Sequence, residues 1–421
     1  MLEALTPCRG APIVGALVVN ACRAMPRPTP STALAKLRVL DLSRVRAGPT
    51  CARVFADFGA DVIKVESPPG LDPNENMSGA RHGYDMQNLH RNKRSLTLNL
   101  KTAEGKAILL KLIESADLLI ENFRPDVKDR LGLDFDTLHR LNPRLILVSV
   151  SGFGQSGPYR TRAGFDQIAQ GMGGMMSVTG LPGQGPVRAG IAVADSAAGL
   201  YGALGALVAI TERETSGLGQ WVQTSLLEAQ IAMMDFQAAR FLVEGTVPPQ
   251  AGNDHPYSTP MGVYATRNGH INIGVGAEGH WRSFCKAIGH PQLGDNPVYD
   301  SMEKRYDKRP ELRVIIESIL TQRDSAHWLA AFEEHAVPAG PIYGVDEMFD
   351  DPQVQHLGIA QPVSHPILGD FRVVGEPVGL SRTPAGVVSP TPEAGEHNAE
   401  ILAELGYDPG AVARLREAGA I

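Results

Sequence analysis

Cysteine is scarce, and its spacing is uninformative. The four thiols, Cys8, Cys22, Cys51 and Cys285, are scattered, with no CxxC and no Cys/His spacing suited to zinc. Free thiols in a reducing compartment are the expectation. The histidines show no HExxH or similar spacing, so a metal site finds no support, and GxSxG does not occur, so neither does a serine hydrolase. No apolar run approaches the length needed to cross a bilayer, and no membrane partner is expected. A formal net charge of −7 gives no reason to expect nucleic acid as a partner. Internal repeats and low-complexity tracts are missing.

What remains is the composition of a soluble globular enzyme. Of 421 residues, 43% are apolar and 20% charged, a size that suits two domains or one large domain with an insertion. Residues 1–35 differ in character. They carry Arg9, Arg23 and Arg27 against one acid, Glu3, then Pro26, Pro28 and Pro30. A mitochondrial transit peptide is one reading. A disordered leader is preferred, because the hydroxyl-rich composition of transit peptides is missing, and the expected location is the cytoplasm.

From Lys36 onward short apolar runs alternate with amphipathic segments. Strands are expected at 38–42, 61–65, 117–120, 144–150 and 220–224. Helices are expected at 49–58, 106–115, 135–141, 197–211 and 226–243. That alternation predicts an α/β fold, with a parallel sheet covered on both faces. Composition then changes. The runs 262–266 and 270–275 flank Arg267-Asn268-Gly269, a hairpin signal, and helices follow at 279–288, 310–320 and 325–334. The expected organisation is a large Rossmann-like domain over 36–225, a smaller α+β domain over 226–335, and a segment 336–421 returning to the large domain.

Three features carry chemistry. Asp195 lies in Gly190-Ile191-Ala192-Val193-Ala194-Asp195-Ser196, where an apolar run meets a long small-residue helix. An aspartate there is ordinarily an N-cap; the sharper reading is a carboxylate nucleophile. Gly152-Phe153-Gly154-Gln155-Ser156-Gly157 matches GxGxxG after a strand, but Pro158 and Tyr159 follow, so no helix opens and a dinucleotide site is rejected. Two basic clusters, His90–Ser95 with Lys101, and Arg124, Lys128 and Arg130, flank strand ends. Each is solvated charge by default; together they fit a phosphate-bearing ligand such as a nucleotide or coenzyme A.

Five spaced stretches point one way: Val39–Pro49 (VLDLSRVRAGP), Gly59–Glu66 (GADVIKVE), Asn92–Ser95 (NKRS), Glu121–Pro125 (ENFRP) and Leu405-Gly406-Tyr407. In this order they resemble the motifs of the class III CoA-transferases, and the likeness runs from Lys36 to the C-terminus. The resemblance implies an interlocked homodimer with its active site between the large domain of one chain and the small domain of the other. It implies acyl-CoA and carboxylic acid as substrates, CoA thioester chemistry without a permanently bound cofactor, and no metal. It makes Asp195 the nucleophile and Asp166 a supporting acid. Positions matching CoA contacts are Arg46, Ala47, Arg94, Leu98, Lys101, Asn122, Phe123, Arg124 and Arg130. Glycines near 171–174 and the helix start after Asp195 are the expected oxyanion donors.

An isomerase branch of the same family uses a histidine in a Gly-His-Asp motif as second proton carrier. Here the motif reads Gly164-Phe165-Asp166, and phenylalanine carries no proton. Transfer of CoA, from succinyl-CoA or a related dicarboxylyl-CoA, is therefore expected over racemisation or a non-catalytic CoA-binding role. Arg46 is the departure of interest: it could hold an acyl carboxylate or face CoA.

Overall fold

The computed structural model describes residues 29–421, so residues 1–28 of the expected leader lie outside the described residues. The large unit alternates strand and helix as the apolar runs predict. Its first strand β1 (Arg38–Asp41) is followed by α1 (Ala47–Asp57), β2 (Asp61–Glu66), α2 (Tyr84–His90), β3 (Arg94–Thr97) and α3 (Ala103–Ile113). Then come β4 (Leu118–Glu121), α4 (Pro125–Leu131), α5 (Phe135–Leu141) and β5 (Ile146–Ser151). Two short helices, α6 (Asp166–Met172) and α7 (Met175–Val178), precede the long α8 (Val193–Ser216) and β6 (Trp221–Ser225).

All six strands run parallel in the order β3-β2-β1-β4-β5-β6. The winding reverses between β1 and β4, and ligands of such sheets bind in the crevice at the carboxyl ends of the strands flanking that reversal. One face is covered by α1 and α8 through Cys51, Phe55, Ala198 and Ala206 over Val39, Ile120 and Val148. The other is covered through Ile108, Leu112, Leu138, Ile401 and Leu415 over Leu40, Ile63 and Leu147.

The helix α8 approaches α1 closely because its facing side is nearly bare. A Cβ on Gly199 would meet the Ala47 carbonyl at 2.5 Å and Thr50 Cβ at 2.7 Å. The run Gly152–Gly157 has a similar origin: a Cβ on Gly152 would lie 2.8 Å from Gly164 Cα. Those glycines permit two chain segments to cross, rather than a pyrophosphate to bind. At 24 residues and hydropathy 1.6, α8 is long and apolar enough to cross a membrane. This corrects the sequence expectation. Its Ala-rich face is spent inside the core, while Leu200, Leu204 and Val208 are exposed.

The basic run His90–Ser95 goes into the protein. Arg91 makes a fully buried pair with Asp57 at 2.6 Å, and Lys93 another with Asp41 at 2.7 Å. Arg94 opens β3 at its amino end and bridges Asp61, Glu400 and Glu404. These bonds tie the sheet edge to the helix Asn398–Glu404 near the C-terminus.

After α9 (Leu226–Ala232) and α10 (Asp235–Glu244) the chain forms β7 (Met261–Thr266) and β8 (Gly269–Gly274), the hairpin that Asn268-Gly269 signals. Five helices follow, α11 (Glu278–Ala287), α12 (Pro291–Gly294), α13 (Met302–Asp307), α14 (Arg309–Leu320) and α15 (Ser325–Glu334), then β9 (Ala339–Pro341). Their core is Tyr264, Trp281, Phe284, Leu312, Trp328 and Phe332. Next come α16 (Val345–Asp350), α17 (Pro352–Leu357), a hairpin of β10 (Ala360–His365) and β11 (Gly369–Val374), then α18 (Asn398–Glu404) and α19 (Pro409–Glu417).

Several boundaries differ from expectation. The helix expected over 226–243 breaks at Met233-Met234, and Asp235 takes φ +44°. Leu226 and Ala229 belong to the core of the large unit, so the smaller unit begins after α9. It also extends past 335, because β9 pairs with β8. At the other end Ser31 is buried, and the Leu34 amide donates to the Phe58 carbonyl, so the last residues of the expected leader pack on the fold.

Substituting Gly199 by Ala should push α1 and α8 apart. We expect a loss of roughly 1 to 3 kcal/mol in urea-induced unfolding, with an unchanged midpoint showing that the two helices do not need this contact.

Candidate active site

The start of α8 is capped from a distance. Its N-cap residue, Ala192, offers no side-chain acceptor. Asp166, at the start of α6, supplies one instead: its Oδ1 accepts the Ala194 amide at 2.9 Å and the Asp195 amide at 3.4 Å. Its Oδ2 accepts from Gln170 Nε2 at 2.7 Å and lies 3.4 Å from Arg188 Nη2. Gln170 is fully buried and also receives the Ala189 amide at 2.9 Å, which pins the loop before α8. The helix begins two residues before Asp195, not at it, so Asp195 sits in the first turn and is not the cap.

With its capping task taken by Asp166, the Asp195 carboxylate has no hydrogen bond or ion pair of its own among the described residues. Burial disfavours its charged form, the Asp166 carboxylate adds like-charge repulsion, and Arg46 opposes both. The result is a carboxyl pushed up to about 6. Arg46, the residue before α1, is gripped by Asp85 of α2, with Nη2 at 2.7 Å from both Asp85 oxygens. Asp85, Gln170 and Arg188 carry no motif signal in a single sequence. Only the fold brings them beside Asp195, Asp166 and Arg46.

A cavity of about 580 Å³ opens at the carboxyl ends of β1 to β4, where the winding reverses. Leu42, Arg44, Glu66, Leu98, Lys101 and Phe123 line it. Its walls are held from within. The Asn122 amide clamps the β1 loop, accepting from Arg44 N at 2.8 Å and donating to Arg44 O at 2.7 Å. Glu121, buried at the end of β4, accepts the Phe123 amide at 2.8 Å, and desolvation pushes its carboxyl up to about 7. Glu66 is held by Arg81 and by Ser95 Oγ at 2.6 Å, which makes it a wall residue tied into the fold.

Of the sequence-derived CoA positions, Leu98, Lys101 and Phe123 line this cavity. Arg46 and Ala47 lie at the start of α1 beside Asp195, and Asn122 acts through its clamp on the β1 loop. Arg124 and Arg130 are exposed and share Asp126 at 3.1 and 3.0 Å, outside the cavity lining. Arg94 is a correction. It stands at the amino end of β3, opposite the crevice, with three carboxylates around it. The idea of His90–Ser95 as a phosphate cluster falls with it, and Lys128 is buried over the Trp221 ring at 4.2 Å.

The expected oxyanion donors are engaged within the fold. Gly173 N donates to Ala169 O at 2.7 Å, Gly174 N to Gly171 O at 3.4 Å, and Ser196 N, the first amide after Asp195, to Ala192 O at 3.0 Å.

One group among the described residues, His82, His365 and Glu393, has metal-like spacing. Nδ1 of His365 accepts the amides of Ile367 and Leu368 at 3.0 and 3.3 Å. Its ring proton then sits on Nε2, the nitrogen 3.8 Å from Glu393, and a nitrogen that carries the proton does not ligate.

Comparison with known proteins extends this description. The family model for CoA-transferase family III matches residues 34–398. Succinate–glutarate CoA-transferase of Agrobacterium fabrum is 39% identical over 391 residues, covering 90% of this chain and 97% of that protein. Succinyl-CoA–D-citramalate CoA-transferase of Chloroflexus aurantiacus is 38% identical over 386 residues, covering 90% and 94%. Among solved structures, a CAIB/BAIF family protein from Brucella suis superposes with a TM-score of 0.77 at 34% identity, covering 89% of this chain and all of that one. A six-stranded parallel sheet with a cavity at its switch point, matched along nine-tenths of its length by such relatives, places the chain in CoA-transferase family III and makes it a CoA-transferase.

Proposed function

We propose that the protein moves CoA from succinyl-CoA, or a related dicarboxylyl-CoA, to a second carboxylic acid, with Asp195 as the covalent carrier. The observation that carries this reading is the state of Asp195: a carboxylate in a partly dry setting, unbonded, raised to about 6, at a helix start whose cap is supplied by another residue. The names of the relatives, succinate–glutarate and succinyl-CoA–D-citramalate CoA-transferase, support the donor.

The raised carboxyl suits the chemistry in two ways. A more basic oxygen is a better nucleophile, yet at pH 7 about nine in ten copies are still ionised. One Asp195 oxygen attacks the thioester carbon of the donor. The C–S bond breaks, CoA leaves as thiolate, and an acyl-aspartyl anhydride forms. The thiolate attacks the Asp195 carboxyl carbon, the donor acid leaves as carboxylate, and Asp195 becomes a CoA thioester. An acceptor carboxylate oxygen then attacks that thioester and expels the thiolate. The thiolate attacks the acceptor carbonyl, and Asp195 departs as carboxylate. No proton is gained or lost, and each step exchanges bonds of similar energy, so no ATP is needed. Exclusion of water protects both kinds of intermediate.

The cavity at β1–β4 takes the nucleotide end of CoA in this reading. Lys101 and Arg44 supply the charge there, and Asn122 and Glu121 hold the loops that shape it. Phe165, exposed at the head of α6, offers no second base, which disfavours racemisation. We further propose that the protein works as a homodimer in the cytoplasm. Leu200, Leu204 and Val208 of α8 and Leu242 and Val243 of α10 are exposed apolar surface in one chain, and the described cysteines, Cys51 and Cys285, are free and buried.

Four outcomes are expected. Replacing Asp195 by Ala or Asn should abolish CoA transfer from succinyl-CoA to glutarate and remove a hydroxylamine-sensitive enzyme thioester; full activity in the Ala variant would sink the mechanism. The charged form of Asp195 is the reactive one and its carboxyl is raised to about 6, so single-turnover thioester formation should climb with a one-proton slope through about pH 6 and level off above it. A flat profile down to pH 4.5 would contradict this. Lys101→Ala should raise KM for the acyl-CoA roughly 3- to 10-fold with kcat unchanged. Arg94→Ala should leave KM alone and cost roughly 1 to 3 kcal/mol of stability in urea titration.

A further inference from the structure

The cation beside the nucleophile decides which acyl groups can lie there. Gly199 of α8 abuts the Ala47 carbonyl, and Asp195 is one helical turn earlier on the same face. Arg46, directly before Ala47, is therefore brought to the Asp195 side of the α1–α8 packing, and its positive charge is felt at the Asp195 carboxyl. Asp85 takes hold of Arg46 through Nη2 alone. The Nε and Nη1 hydrogens lie outside that grip, and the two side chains keep 31% and 26% of their exposure.

We propose that Arg46, oriented by Asp85, binds the far carboxylate of the acyl group, so that the site selects thioesters of dicarboxylic acids over those of monocarboxylic acids. The proposal rests on the reading of Asp195 as nucleophile. CoA cannot be what this cation recognises through phosphate, because the whole pantetheine arm separates every phosphate from the reacting carbonyl. The far carboxylate of a four- or five-carbon diacid, by contrast, lies roughly 4 to 6 Å from that carbonyl, within reach of a guanidinium whose charge is felt at Asp195. Arginine presents the flat fork that a carboxylate matches.

Asp85 acts as a positioning residue with a second consequence. A guanidinium without Asp85 would turn to Asp195, whose carboxylate already feels its charge, and quench it. Holding Nη2 keeps Arg46 available to substrate and Asp195 available to the thioester. The other nearby cation, Arg188, lies 3.4 Å from both the Asp166 carboxylate and the Ile191 carbonyl, facing the cap of α8. It serves as the control.

The test uses the full chain, as wild type and as R46L, R46K, R188L and D85N. Single-turnover formation of the Asp195–CoA thioester is read with succinyl-CoA and with butyryl-CoA, which has a methyl group in place of the far carboxylate. Wild type should prefer succinyl-CoA by on the order of 100-fold. R46L should bring the two within a few-fold by losing succinyl-CoA alone. R46K should keep most of the preference, and R188L all of it. D85N should slow the reaction and move the midpoint of its pH profile downward, because Arg46 then pairs with Asp195. An intact preference in R46L, or equal loss with both thioesters, would overturn the proposal. So would transfer of the effect to R188L, and an unmoved midpoint in D85N would overturn the part assigned to Asp85. Wild type forming no thioester with either substrate would instead overturn the underlying reading of Asp195.

Discussion

The site depends on one hydrogen-bonded arrangement: the Asp166 carboxylate accepting the first amides of α8. A helix start needs an acceptor, and an aspartate in its first turn is the natural candidate. Here Asp166 takes that role from 29 residues upstream. Two effects follow for Asp195. Its oxygens are released from the amides that would otherwise bind them and lower their basicity. A second negative charge is fixed close by, adding to burial in raising the carboxyl. Gln170 and Arg188 hold Asp166 in this task, and the crossing of Gly152 past Gly164 lets the chain arrive there.

A second constraint is how the fold spends its cations. Asp57–Arg91 and Asp41–Lys93 are almost fully buried pairs, whose Coulomb gain is largely offset by desolvation. They fix which residues meet rather than add much stability. The Asp41 pair lies directly beneath the loop that delivers Arg44 and Arg46, and the Asn122 clamp closes that loop from the β4 side. Arg46 is thus held where its charge acts on Asp195, at the end of a chain of ionic and amide contacts that begins in the sheet.

The alternation of strand and helix was legible in the sequence because apolar periodicity survives local variation; α5, Phe135–Leu141, matches its expected limits. β3 was missed because its four residues begin with a charged one and follow a basic run that reads as loop. The same run misled the site reading. Nothing in His90–Ser95 distinguishes a lysine aimed at a phosphate from one aimed at Asp41, since the partner lies 52 residues away. From its small-residue surroundings alone Asp195 reads as an ordinary helix cap; its freedom from capping depends on Asp166 and is visible only in the fold. Asp85 and Gln170 are ordinary residues until the fold brings them to Arg46 and Asp166. The small unit shows the same limit: its hairpin is signalled by Asn268-Gly269, whereas the pairing of β9 with β8 joins residues far apart in the chain, Ile271 with Pro341 among them.

The central claim is that Asp195 itself carries the CoA and exchanges an oxygen with each acid it meets. Turnover with succinyl-CoA and glutarate labelled with oxygen-18 in its carboxylates, followed by mass spectrometry of the Asp195 peptide, tests this directly. The acceptor oxygen that attacks the aspartyl thioester stays on Asp195 when the second anhydride is cleaved, so the peptide should gain oxygen-18 as turnover proceeds. Product formation over many turnovers with an unlabelled Asp195 peptide would mean that the two acids exchange CoA without passing through this residue.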